Sequence, residues 1–135
     1  MPSPQALFDI QPQQATPIYR QVVEQVQRLV AGGQLGPGDE LPSVRAVAER
    51  HAINPMTVSK AYSLLEAEGL LERRRGVGMV VAARAQPALS GEDRLALLTP
   101  TVQALVQQAR QLGIPPEQAM QALARALHSA EQDNP

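Results

Sequence analysis

Apolar positions recur along the chain in two different rhythms, and the changes of rhythm divide it into segments. From Tyr19 the residues Val22, Val23, Val26, Leu29 and Val30 return at intervals of three and four, the period of one helix face. Thr16 followed by Pro17 supplies a capping hydroxyl and a first helical residue whose missing N–H costs nothing, and Gly32 or Gly33 ends the run. A turn-rich loop, Gln34 to Pro42, then fixes the angle to a short helix capped by Ser43, with Val44, Val47 and Ala48 inward and Arg45, Glu49 and Arg50 outward. His51, Ala52 and Ile53 form the next turn. Asn54 and Pro55 open a further helix, on which Val58, Ala61, Tyr62 and Leu65 share one face and Gly69 supplies the stop. Two β-capable runs follow, Leu70 to Arg75 and Met79 to Ala82, joined through Gly76-Val77-Gly78 as a hairpin.

Beyond an Ala/Arg/Pro linker, Leu95, Leu98, Val102, Leu105, Ala109 and Leu112 alternate steps of three and four residues. That is the narrow seam by which one helix meets another. Pro100 interrupts it, so either Thr99 caps a new helix there or one helix from about Glu92 kinks. Gly113 ends this segment, Pro115, Pro116 and Glu117 start another, and Ala119, Met120, Leu123, Ala124 and Leu127 form its apolar stripe. Two such helices cannot enclose a ligand cavity of roughly 300 Å³ unaided, so the pattern favours self-association over a dedicated effector pocket. The alternative is that the seam closes against the last helix of the same chain.

The fold class expected is mainly α with a small β-hairpin: a winged helix-turn-helix domain plus a two-helix C-terminal dimerisation tail. The divisions are residues 1–16 as an N-terminal extension, 17–82 as the winged domain, 83–89 as linker and 90–131 as the tail. The extension should be extended or loosely ordered, with Phe8 and Ile10 docking on the first helix. The two short helices joined by a tight turn, with small Ala48 at their crossing, form the helix-turn-helix arrangement, and the hairpin after them is a wing.

Charge gives that arrangement a direction. The whole chain carries −1, yet residues 43–84 hold seven basic side chains (Arg45, Arg50, Lys60, Arg73, Arg74, Arg75, Arg84) against four acidic (Glu49, Glu66, Glu68, Glu72), a net of +3. A basic head on a mildly acidic body suits a polyanion met on one face. The outer face of the second motif helix, Met56, Thr57, Ser59, Lys60 and Ser63, is small, polar or flexible with one cation, which suits a groove about 12 Å wide lined by base edges and phosphates. Glycines beside Arg73, Arg74 and Arg75 allow close backbone approach to a sugar-phosphate edge. Zero cysteines and two isolated histidines, His51 and His128, offer neither disulfides nor a metal cluster, and no nucleophile-base pair or carboxylate couple stands out. No cofactor, no metal and no enzymatic activity are expected. No apolar run of about 18 residues occurs, so a membrane is not an expected partner and the cytoplasm is the default location.

The strings PIYRQVVEQV, PGDELPSVRAVA and INPMTVSKAYSLLEAEGLLERRRGVG resemble the winged-helix domain of the GntR family of bacterial transcriptional regulators, and the short tail with NPMTVSKAY resembles its YtrA-like branch. The resemblance is dense from Phe8 to Ala82 and holds in pattern only through the tail. It implies a homodimeric regulator, most simply a repressor, reading a palindromic double-stranded DNA operator. By position it implies that Arg45 contacts DNA from the first motif helix, and that Pro55, Met56, Thr57, Ser59 and Lys60 line the recognition surface, with Thr57 and Lys60 on phosphates. Arg75 and Gly76 would form the wing tip in the minor groove. Leu95, Leu98, Val102, Leu105, Ala109, Leu112, Met120, Leu123 and Leu127 are the expected dimerisation residues.

Three positions depart from the family pattern. Ala52 stands where Gly is usual, and a left-handed backbone there would cost about 1 kcal/mol. Met56 replaces a frequent Asn, and Val77 a frequent Arg. These departures motivate the competing expectation of a winged-helix interaction or architectural module without specific DNA readout.

Overall fold

The computed structural model describes residues 7–83, 85 and 89–133. The expected extension is therefore described only from Leu7, and residues 84 and 86–88 of the expected linker lie outside the described residues. The chain forms two compact units, one running up to Leu89 and the other beginning at Ser90.

The first unit contains three helices and a hairpin: α1 (Ile18–Ala31), α2 (Val44–His51), α3 (Pro55–Ala67), β1 (Leu71–Arg74) and β2 (Gly78–Val81). Its core gathers Val22, Val23, Val26 and Val30 of α1, Val47 and Ala48 of α2, Val58, Ala61, Tyr62 and Leu65 of α3, and Leu71, Met79 and Val81 of the hairpin. α3 is the central element, packing on α1, α2 and β1. Leu65, wholly enclosed, contributes on the order of 1.5–3 kcal/mol by leaving water.

The segment before α1 is better ordered than its Pro and Gln content suggests. Phe8 and Ile10 are buried in the core, as their apolar character predicts. Two glutamines of α1 then act as surrogate strand partners for the backbone. Gln25 Oε1 accepts from Asp9 N at 2.9 Å while its Nε2 donates to Asp9 O at 2.7 Å. One turn earlier, Gln21 Oε1 accepts from Gln11 N at 2.8 Å, and its Nε2 donates to Gln11 O at 2.9 Å and Thr16 O at 2.8 Å. Gln21 is buried, and these bonds use both ends of its amide, which removes the cost of burying it. Thr16 therefore plays a different part from the one expected. Pro17 occupies the N-cap of α1 without a side-chain cap, and Thr16 offers its carbonyl to Gln21.

The caps of α2 and α3 follow the sequence. Ser43 Oγ accepts from Ala46 N at 3.0 Å, and Asn54 Oδ1 accepts from Met56 N at 2.9 Å with Pro55 in the first turn of α3. The turn between them is Ala52-Ile53-Asn54; His51, expected in the turn, is instead the last residue of α2. Ala52 has φ 54° and ψ 47°, the left-handed region that its Cβ disfavours.

The wing is larger than a hairpin. β1 and β2 pair antiparallel from Leu71↔Val81 to Arg74↔Gly78, so Gly78 belongs to a strand and the loop is Arg75-Gly76-Val77. On the other side of β2 the loop before α2 lies alongside through an isolated antiparallel bridge, Glu40↔Val80: Gly38 N donates to Val81 O at 2.9 Å, Val81 N to Asp39 O at 2.8 Å, and Leu41 N to Met79 O at 2.9 Å. This central place explains why Met79, Val80 and Val81 are all buried instead of alternating. Tyr62 secures the same loop from α3, its hydroxyl donating to Pro42 O at 2.7 Å, and burial pushes the pKa of that phenol up.

The second unit holds two helices, α4 (Gly91–Gln111) and α5 (Pro116–Asp133), joined through Gly113. Ser90 Oγ caps α4 by accepting from Asp93 N at 3.2 Å. The choice left open at Pro100 resolves to one uninterrupted helix containing the proline, so Thr99 caps nothing. No helix among the described residues is long and apolar enough to cross a membrane.

Candidate nucleic-acid interface

The outward face of α3 begins at Asn54, whose cap exposes the first turn instead of fraying it. Pro55, Met56, Ser59, Lys60 and Ser63 are exposed, while Thr57 is half-buried with its N–H donating to Asn54 O. Met56 is 76 % exposed, a flexible thioether with nothing of its own fold to pack on. A methyl-bearing side chain at that place can meet a thymine methyl but cannot hydrogen-bond a base edge.

Arg45 projects from α2 and pairs with Glu49 one turn on, Nε to Oε1 at 3.5 Å, with both side chains well exposed. Such a pair is weak and readily exchanged, so it leaves the guanidinium available to a phosphate. In the wing, Arg74 is tied to Glu72 at 3.1 Å, whereas Arg75 and Gly76 lie in the loop itself, both exposed. Gly76 has φ 80°, a backbone that a side chain would strain, and nothing lies within 4 Å of where its Cβ would be. The tip can therefore approach a surface without a side chain in the way. Val77 beside it is 50 % exposed.

Lys60 has a partner that periodicity does not reveal. Its Nζ lies 3.9 Å from the centroid of the Tyr19 ring, and the Arg20 guanidinium carbon lies 5.9 Å from the same centroid. In sequence Tyr19 belongs to the apolar face of α1, and only the packing of α1 on α3 brings its ring under a cation of the other helix. The one signal available was its half-polar character at the edge of that face.

His51 stands apart from this face. Its Nε2 is buried without a hydrogen-bond partner, and its pKa is lowered by desolvation first and by Arg50 second, with Asp9 opposing.

In the second unit the expected seam residues Leu95, Leu98, Val102, Leu105 and Leu112 are exposed and Ala109 is half-buried; Met120, Leu123 and Leu127 of α5 are exposed as well. Between the two helices an open cleft of about 430 Å³ is lined by Leu105, Ala109, Leu112, Ile114, Ala119 and Leu123 among others.

Residues 18–81 match the bacterial regulatory proteins of the gntR family. The chain is 38 % identical over 108 residues to the HTH-type transcriptional repressor YtrA of Bacillus subtilis, covering 80 % of this chain and 82 % of that one. Among solved structures it resembles YtrA from Sulfolobus acidocaldarius, a GntR-family transcription factor, with a TM-score of 0.54 and 26 % identity over 92 % of this chain and 99 % of that one. It also resembles the AraR DNA-binding domain in complex with operator ORX1, with a TM-score of 0.50 and 25 % identity over 56 % of this chain and 96 % of that one. With a capped α3, its polar outer face and an arginine-glycine wing on a shared frame, the chain belongs to the GntR family of bacterial transcriptional regulators, in its YtrA-like branch, and carries that family's DNA-binding winged helix.

Proposed function

We propose that the protein is a homodimeric, sequence-specific repressor that binds a palindromic operator in the cytoplasm. Residues 17–82 serve as the reading head, 83–89 as linker and 90–131 as the dimerising tail. In each copy Pro55, Met56, Thr57, Ser59 and Lys60 enter the major groove, with Thr57 and Lys60 on phosphates. Arg45 contacts DNA from α2 on the same major-groove side, and Arg75 with Gly76 meets the minor groove. The observation that carries the dimer is the run of exposed leucines along α4 and α5, since apolar surface of that extent is stable in water only when something covers it. A second copy offers the same stripe, and a two-fold arrangement then spaces two reading heads by about one helical turn of DNA or a multiple. The cleft between α4 and α5 is on this reading part of the seam, not an effector pocket. The repressor sense rests on the relative from Bacillus subtilis that bears that name.

A second reading is favoured by Met56 and Val77, exposed apolar side chains at places where hydrogen-bonding readers are expected: a winged helix that holds DNA or protein without choosing a sequence. Selection of bound duplexes from a random DNA pool separates the two. The repressor reading expects enrichment of an inverted repeat. Retention of DNA without any enriched repeat would replace it with the architectural one.

A further inference from the structure

We propose that Tyr19 is a positioning residue for DNA binding: its ring, carried by α1, holds the Lys60 ammonium of α3 in place for a DNA phosphate. This rests on the reading of Lys60 as a phosphate contact. A lysine on an exposed helix face ordinarily samples many rotamers, and ordering its four-carbon stem on a ligand costs binding free energy. Here the ammonium sits 3.9 Å from the centre of an aromatic face, well inside the range of cation–π attraction. Lys60 remains exposed, so the ring takes one side of the ammonium and leaves donors on the other for a phosphodiester oxygen. Part of the ordering is thereby complete before DNA arrives. The ring is itself fixed, because Tyr19 is half-buried against the core. Arg20, 5.9 Å from the same centroid, adds a second positive charge around this ring, so the footprint on the phosphate backbone includes the N-terminal turn of α1 as well as the recognition helix.

The test is a double-mutant cycle on the full chain, with a mixed-sequence DNA duplex as probe and affinity followed against salt. Lys60→Ala should weaken binding and lower the slope of log K against log salt by about 0.9, one phosphate's worth. Tyr19→Leu should weaken binding about two- to fivefold when Lys60 is present and change nothing in the Lys60→Ala background. Tyr19→Phe, which keeps the aromatic face, should bind like the unsubstituted protein. If Lys60→Ala binds normally, Lys60 is no phosphate contact and the inference goes with it. If Lys60→Ala binds weakly but Tyr19→Leu weakens both backgrounds alike, or neither, Lys60 touches DNA without help from the ring and the positioning role is overturned. Should Tyr19→Leu not fold, the unsubstituted protein still decides: ring current should move the Lys60 ε-methylene proton resonances upfield, and ordinary shifts would exclude the contact.

Discussion

Ala52 carries a cost at the centre of the reading motif. At φ 54° it is the one non-glycine among the described residues with a left-handed backbone, and the helix-turn-helix geometry imposes this, because the Ala52 and Ile53 amides both turn back to Ala48 O. Its methyl is exposed and buries nothing in return. Ala52→Gly should therefore stabilise the winged domain by about 1 kcal/mol, an upward shift of several degrees in the melting temperature by calorimetry. No gain would mean that the extra freedom glycine gives the unfolded chain cancels the relief of strain. Met56 shows the opposite situation, an exposed side chain in the first turn of the proposed recognition helix. Its replacement for a polar reader is legible in sequence, and so is the left-handed demand on Ala52. The buried amide of Gln21 is not, because a glutamine at the helix surface and a glutamine bonded three times to a neighbouring segment look alike in a string.

Among the elements, the wing gains most from the third dimension. Periodicity gives two strands and a glycine turn, but the Pro/Gly-rich loop before α2 also hydrogen-bonds to the free side of β2 through a single antiparallel bridge. Those bonds join residues some forty positions apart, which no local pattern specifies. With β2 held on both sides, the loop Arg75-Gly76-Val77 rests on a stiff base. Arg75→Ala should lower DNA affinity and make its salt dependence shallower by about one phosphate's worth, measured by titration at several salt concentrations. An unchanged slope would remove Arg75 from the interface. The tail helices show the same division between local and distant information. Proline in the middle of α4 left two readings open, since the missing N–H is equally compatible with a new first turn; the continuous helix capped by Ser90 chooses between them.

At the scale of the molecule, apolar surface is distributed unequally. The first unit encloses most of its aliphatic side chains, Leu64 and Val77 excepted, whereas the second leaves leucines of both helices exposed. Leu105→Glu places a charge in the middle of the proposed seam. It should convert dimers to monomers in analytical ultracentrifugation and abolish operator binding, because one head alone keeps only half of the contacts. A variant that remains dimeric would move the subunit contact elsewhere.

The sequence by itself determined the helices, the caps of α2 and α3, the hairpin and the basic face, because each depends on residues within a few positions of one another: a hydroxyl or amide at a helix start, apolar side chains at the helical period, glycine where the chain reverses. It also determined the family, through three linked strings in register. Only the tertiary structure decided what crosses between elements. The glutamine ladder that orders the segment before α1, the loop bridged to β2, the Tyr62 bond to Pro42 and the Tyr19 ring under Lys60 all join groups far apart in the chain. Their pairing follows from how α1, α2 and the hairpin pack around α3, and no local period encodes that.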